Sequence, residues 1–297
     1  MSKQRVIIFG VSAYGRSIYR ILRDDKAYEI VAFIDNDPQK QGDMFDGKEI
    51  FNPSNINQLR YDQIYIGGRH IDEQVAQIVK IGVDPESIKL IKKPDLKLTS
   101  EERKIKNYEI DSVLQDLIPI LEENNISYWL DYSSLLSLFR KDDLAEFSDI
   151  DIALNSHDSG IELWNHLQSS RLNDTHQLKM VTFDADTEIS LKGNVLKIEI
   201  QSNGNPWDEH AIFDIHVKYP HGDSYKHFIE NNTHFCPKDF LDSHEYYQYK
   251  NFNLRVPSRV NDYLSLIYGD KWIVPADYWS GSSYGNILKS DISSSGN

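Results

Sequence analysis

The sequence predicts an α/β chain of two domains: an open parallel sheet covered by helices, followed by an α+β domain. Three observations predict it. In residues 1–93, short apolar strands alternate with amphipathic helices. A polar, lysine-rich stretch, "IKKPDLKLTSEERK" (91–104), then breaks that alternation. Beyond it, segments that alternate apolar and charged residues, "EFSDIDIAL" (146–154) and "AIFDIHVKY" (211–219), are mixed with longer helices. The boundaries that follow are 1–93 for the first domain, 94–107 for a linker, 108–280 for the second domain and 281–297 for a loose Ser/Gly-rich tail.

In the first domain, "RVIIFG" (5–10) is a strand and "GRSIYRILRDD" (15–25) a helix, with Ile18, Ile21 and Leu22 at helical spacing. "EIVAFID" (29–35) and "QIYIGG" (63–68) are further strands, and "IDEQVAQIVKIGV" (71–83) is an amphipathic helix ending near Gly82. "FGVSAYG" (9–15) keeps Gly10 and Gly15 of a G-x-G-x-x-G turn and places Ser12 between them. Asp35 closes the next strand, where a ribose-binding acid belongs. "VAFIDNDPQKQGDMFDGKEIFNPSNI" (31–56) resembles the Rossmann-like domains attached to bacterial sugar-modifying enzymes. That resemblance implies a nucleotide or nucleotide-sugar over the Gly10, Ser12, Gly15 and Asp35 positions, or else a scaffold that keeps only the fold. Within the first domain no catalytic Tyr-x-x-x-Lys or dehydrogenase histidine is discernible, so an oxidoreductase is not expected.

The second domain opens with a helix, "EIDSVLQDLIPILEENN" (109–125), which Pro119 is expected to kink or delay. "ISYWLDY" (126–132) is a strand and "SSLLSLFR" (133–140) a helix, followed by the strand carrying Asp149 and Asp151. A helix (159–169), strands at 195–200 and 211–219, and a closing helix (259–272) complete it. On a strand, residues i and i+2 face the same way, so Asp149 and Asp151 stand side by side while Ile150 and Ile152 pack the other face. Two ionised carboxylates that close repel unless a cation lies between them. Oxygen ligands of this kind suit Mg²⁺, or Mn²⁺. A strand end with both groups merely hydrated is the simpler alternative. "FDIHVKY" repeats the arrangement, with Asp214, His216 and Lys218 on one face, so Asp214 supplies a third acid. The Ser133–Ser134 turn opens a helix whose free N–H groups suit a phosphate. Together these features point to a nucleotidyltransferase-like site for phosphoryl transfer.

"YWLDYSSLLSLFRKDDLAEFSDIDIAL" (128–154) and "VPSRVNDYLSLIYGDKWIVPADYW" (256–279) resemble the LicD family, seen also in fukutin-related proteins. With "FDIHV" between them, the likeness covers most of residues 108–280. It implies transfer of a phospho-alcohol, such as phosphocholine or an alditol phosphate, from a CDP-activated donor to a glycan in surface-polysaccharide or capsule synthesis. Asp149, Asp151 and Asp214 match the family's metal ligands, and Asp131 and Arg140 match two further signature positions. Ser133 and Ser134 replace the family's Gly-Gly/Thr pair, and Phe147–Ser148 replaces its acidic run. Those departures point to a different donor or a weakened catalyst. Two rival readings remain: a nucleotidyltransferase moving NMP from NTP, and an inactive nucleotide-binding regulator.

Composition narrows the partners. The chain has 297 residues and 40% hydrophobic content, enough for two real cores. Residues 1–100 carry net +1 and residues 101–297 net −15, which argues against a non-specific nucleic-acid surface, since that needs a basic face. The acidity suits metal ions, or is a solvated surface. The single cysteine, Cys236, excludes an internal disulfide, and the ten histidines show no zinc spacing. Apolar runs are too short to span a bilayer, and no signal-peptide core is seen. A cytoplasmic protein is expected, with assembly near a membrane still compatible. The alcohol, the acceptor glycan and the oligomeric state are left open.

Overall fold

The computed structural model describes residues 3–68, 70–91, 100–141, 143–146, 149–202, 211–229, 232–275 and 283–288. The chain divides into two compact units, Met1–Leu98 with Ala276–Ser280, and Thr99–Pro275 with Gly281–Asn297.

The first unit is built on β1 (Gln4–Phe9), β2 (Tyr28–Ile34), β3 (Met44–Phe45), β4 (Lys48–Phe51), β5 (Gln63–Gly67) and β6 (Ile88–Ile91). Strand order is β3-β4-β2-β1-β5-β6, parallel except for the β3–β4 pair. Helix α1 (Ala13–Arg23) follows β1 and α2 (Ile71–Lys80) follows β5. Val6, Ile8, Phe33 and Ile50 pack with Ile18 and Leu22 of α1, whereas Ile7, Phe9, Ile34, Ile64 and Ile66 pack with Ile71 and Ile78 of α2. Burial on both faces is why these strands read as nearly unbroken apolar runs. The β1–α1 turn needs its glycines. Gly10 sits at φ +90°, and a Cβ on Gly15 would lie 1.7 Å from the Gly10 carbonyl oxygen.

The second unit begins with α3 (Ser100–Glu123). The linker expected to end at 107 is therefore helical from Ser100, and its residues 94–99 lie outside the described ones. Pro119 neither delays nor ends the helix. Its ring is exposed while Ile110, Val113, Leu114, Leu117 and Leu121 are buried, and their packing outweighs the lost hydrogen bond. Next come β7 (Tyr128–Leu130), α4 (Tyr132–Lys141), β8 (Ile150–Leu154), α5 (His157–Gln168), α6 (Arg171–Thr175), β9 (His176–Thr182), β10 (Val195–Ser202) and β11 (Ala211–Val217). They form a sheet of order β7-β8-β11-β10-β9, in which only β8 and β11 are parallel. A second sheet joins β12 (Tyr219–His221), β13 (Ser224–Ile229) and β14 (Asn232–Pro237). The hairpin of β15 (His244–Tyr249) and β16 (Phe252–Pro257) leads into α7 (Val260–Tyr268).

Part of the tail expected to be loose is fixed. Gly285 N–H donates to the Ile267 carbonyl (2.9 Å), Leu288 N–H donates to the Thr233 carbonyl (2.9 Å), and Asn286 is fully buried. Among the described residues, no helix is long and apolar enough to cross a membrane.

Candidate active site

Strand register assembles the site. Asp151 on β8 lies directly opposite Asp214 on β11, Asp214 opposite Glu199 on β10, and Glu199 opposite Lys179 on β9. Partners in register point to the same side of a sheet, so three carboxylates and one ammonium form a single row. Asp149 directly precedes β8 and is only partly buried, whereas Asp151 is 8% exposed.

Each carboxylate has a distinct environment. Asp151 Oδ2 accepts hydrogen bonds from the Ser133 N–H (3.0 Å) and hydroxyl (2.6 Å), and the Asp151 N–H donates to Ser134 Oγ (2.7 Å). Burial, then the charge of Asp149, pushes the Asp151 carboxyl above its ordinary value, against His216 and Ser133. Asp214 Oδ2 accepts from Lys197 Nζ at 3.1 Å, and Lys197 Nζ lies 2.6 Å from Glu199 Oε1. Burial opposes the Lys197 charge, but Asp214 and Glu199 outweigh it and raise its pKa. His216 Nε2 stands between the two aspartates, 3.7 Å from Asp151 Oδ1 and 3.9 Å from Asp214 Oδ2. Desolvation works against the imidazolium, yet Asp214 and Asp151 raise its pKa.

Asp131, Arg140, Ser133 and Ser134 are held by contacts within their own unit. Asp131 is 1% exposed, and its Oδ1 accepts from Tyr263 Oη (2.6 Å) and from the Tyr132 N–H (2.9 Å). Its Oδ2 lies 2.5 Å from Nζ of the fully buried Lys218, an ion-pair contact outside hydrogen-bonding angles. Asp131 is thus a buried strut. Arg140 donates through Nε (2.5 Å) and Nη2 to the Trp272 carbonyl and through Nη2 to the Val274 carbonyl (3.3 Å). Backbone carbonyls are strong acceptors, and these two hold the guanidinium. The Ser133–Ser134 turn presents its N–H and hydroxyl to the Asp-x-Asp strand, because a local carboxylate satisfies a helix start as a phosphate does. Phe147–Ser148 lies outside the described residues.

Residues that sequence reasoning missed complete the surroundings. Lys197 and Glu199 alternate with Ile198 and Ile200 in "VLKIEI", and that alternation was their signal. Lys106 on α3 feels Asp149 and Asp143, and burial pulls its pKa down to about 8. It is 43 positions before Asp149 in sequence, and no local pattern marks it.

A metal fits part of this geometry. Among the described residues, no group of three His, Cys, Asp or Glu side chains is set to hold an ion. Mg²⁺, however, often takes only one or two carboxylates and completes its shell with waters and substrate phosphates. Asp214 Oδ1 is buried and accepts no hydrogen bond among the described residues, which leaves an oxygen for such an ion beside Asp151.

In the first unit Gly10, Ser12 and Gly15 lie in the turn from β1 into the start of α1, with Ser12 at the N-cap. Asp35 faces that turn, where its Oδ2 accepts from the Val11 N–H and its Oδ1 from the Asp37 N–H, both at 2.9 Å.

Residues 125–259 match the nucleotidyltransferase domain of the LicD/FKTN/FKRP family. This part of the chain is a LicD-family domain. Residues 2–91 match the C2185-like N-terminal family. No curated protein matches the chain. Among solved structures, the chain is similar to the lincosamide antibiotic adenylyltransferase LnuA with bound lincomycin, at 13% identity and TM-score 0.33, over 63% of this chain and 92% of that one. It is also similar to UDP-D-quinovosamine 4-dehydrogenase from Vibrio fischeri, at 21% identity and TM-score 0.24, over 30% and 76%. A dehydrogenase from Clostridium difficile gives 11% identity and TM-score 0.26, over 80% of each chain. The LicD domain supports a phosphotransferase role in glycan or polysaccharide modification.

Proposed function

We propose that this protein transfers a phospho-alcohol from a CDP-activated donor to a glycan hydroxyl, with Asp149, Asp151 and Asp214 at the reacting centre. The observation that carries this reading is the in-register pair Asp151 and Asp214, with Asp214 Oδ1 buried and without a hydrogen bond among the described residues. In the step, the acceptor oxygen attacks the phosphorus bearing the alcohol and the bridging P–O bond breaks. CMP leaves with the bridging oxygen, and the hydroxyl proton passes to Asp214. Asp151, fixed by Ser133 and Ser134, holds its place beside Asp214 while charge shifts. Asp151 and Asp214, with Asp149 next to them, would hold Mg²⁺, which supplies charge neutralisation at the donor phosphates. The setting is surface-polysaccharide synthesis, and the first unit serves as a Rossmann-like nucleotide or scaffold module.

One observation favours a second reading. The Ser133 N–H and hydroxyl are already taken by Asp151 and Arg140 by carbonyls, which leaves fewer donors for phosphates, as in an inactive binding protein. Incubation with a panel of CDP-alcohols, Mg²⁺ and glycan acceptors separates the readings. Release of CMP, lost when the metal is chelated, is expected. Donor binding indifferent to metal and without CMP supports the binding protein, and pyrophosphate from NTP supports a nucleotidyltransferase.

A further inference from the structure

Lys197 is the cation nearest the unpaired oxygen's carboxylate, and it is held from two sides. Its register partner is His216, so it stands one pleat along β10 from Glu199, with its ammonium inclined toward the carboxylate row. There it meets Glu199 Oε1 at 2.6 Å and Asp214 Oδ2 at 3.1 Å. Glu199 is itself 9% exposed and receives Lys179 Nζ at 3.6 Å and Gln201 Nε2 at 3.0 Å. The ammonium is thus anchored on Glu199 and its free donors are aimed at one oxygen of Asp214. The other oxygen, Oδ1, is left without a hydrogen bond among the described residues.

We propose that Lys197 is a positioning residue for transfer, fixing the Asp214 carboxylate by Oδ2 so that Oδ1 is presented to the reacting centre, with Glu199 as the anchor of Lys197. This rests on the transfer reading above. The reason is geometric. A carboxylate free to rotate about χ2 exchanges its two oxygens, and a charge-assisted hydrogen bond to one of them removes that freedom. Lys197 also opposes cation binding, because it places a positive charge beside Asp214. A residue that only supports the fold would lose catalysis and metal affinity together, whereas Lys197 moves them apart.

The test uses the full chain as wild type, Lys197→Met, Lys197→Arg, Glu199→Gln and Asp214→Asn. It measures CMP release from CDP-choline and, separately, Mn²⁺ affinity by electron paramagnetic resonance. Lys197→Met should lower kcat roughly ten- to a hundredfold, the effect of one hydrogen bond to a charged group, with KM for the donor little changed. Its Mn²⁺ affinity should hold or rise, and Lys197→Arg should recover part of kcat. Glu199→Gln should give a smaller loss in kcat. Unchanged kcat in Lys197→Met, or Mn²⁺ affinity falling as it does in Asp214→Asn, overturns the proposal. If the wild type releases no CMP from any CDP-alcohol, the transfer reading fails by itself. The Mn²⁺ comparison then decides Lys197: held or tighter binding in Lys197→Met supports its place against Asp214, and weaker binding overturns it.

Discussion

Asp151 and Asp214 face each other across the one parallel strand pair of their sheet, with His216 Nε2 within 4 Å of both. The two have different supports: Asp151 takes hydrogen bonds from a helix start, and Asp214 takes one from Lys197. Burial and Asp149 both work against the Asp151 charge. Asp151→Asn keeps an oxygen for Ser133 and removes that charge. Turnover should fall by roughly 10²–10³, the scale of losing one electrostatic partner of a transition state, while the melting temperature holds or rises. The pH dependence has a definite sign. With its folded pKa raised, ionised Asp151 costs stability above the unfolded value of 3.8, so the wild type gains stability as pH falls through that raised pKa. The Asn variant should lack this gain, as chemical denaturation followed from pH 7 down to 3.8 would register. A variant that melts several degrees lower and keeps its turnover would contradict both halves.

Lys218 and Asp131 are a buried ion pair beside the strand–helix turn, and Tyr263 Oη bonds both partners: it accepts from Lys218 Nζ (2.9 Å) and donates to Asp131 (2.6 Å). Lys218→Met removes one charge and strands the other. The expected cost is about 3–5 kcal/mol in urea denaturation. Adding Asp131→Asn should restore a large part, because no uncompensated carboxylate then remains. If the double variant is as unstable as the sum of the singles, the pair is not coupled.

Much of this was legible in the sequence for physical reasons. The alternation in "SDIDIAL" and "FDIHV" gave both carboxylate strands, because period-2 patterning survives whatever the partner strand is. Gly15 was legible as the last glycine of a G-x-G-x-x-G turn, and the 1.7 Å between a Cβ built there and the Gly10 oxygen gives the cause. Lys197, Glu199 and Lys106 were not singled out. Their position depends on which strands and helices become neighbours, and register is a tertiary fact. The start of α3 was hidden because "SEERKIKN" is polar apart from Ile105, too little for a helical apolar stripe. Asp131 and Arg140 were legible as signature positions, but a motif fixes a residue's place on the chain and not which partner its side chain finds. The Ser-rich tail concealed Asn286, whose amide donates to Tyr132 Oη (3.2 Å) and to the Phe235 carbonyl (3.1 Å).

Tyr132 Oη also meets His227 Nε2 (2.8 Å) and His234 Nδ1 (3.1 Å), both on histidines only 1% exposed. Burial, followed by the Lys218 charge, holds His227 well below its ordinary pKa. Burial lowers His234 to about 4, against Asn286. Both are therefore neutral when folded and able to take protons when unfolded. Their contribution is fully present above pH 6.5 and is lost as pH falls from 6.5 toward about 4, the His234 value. Each adds a slope of about 1.4 kcal/mol per pH unit in that window. His216 and Asp151, both raised, work in the opposite direction, so the variant is compared with the wild type at each pH. His227→Phe keeps a ring against Tyr132 and removes one proton site. It should flatten the stability profile between pH 6.5 and 5 by about one such slope, and an unaltered profile would mean that His227 is already protonated in the fold.

The last prediction concerns Asp35, where a ribose contact and a turn support compete for one carboxylate. Its two oxygens accept from Val11 N–H and Asp37 N–H, which ties the glycine turn to the end of β2. Both donors are backbone groups with fixed direction, so the carboxylate acts as a staple between two loops distant in sequence. Asp35→Ala removes both bonds. At about 1.5–3 kcal/mol for a hydrogen bond to a charged group, and with the residue only half-buried, a loss of about 2 kcal/mol is expected in urea denaturation of the full chain. Asp35→Asn keeps one acceptor and should lose about half as much, because its amide cannot accept from the second N–H. A loss below about 0.5 kcal/mol for Asp35→Ala, the range of ordinary surface changes, would show that the turn holds itself. In that case the carboxylate is free for a nucleotide's hydroxyls, and the same variant should instead lower nucleotide affinity.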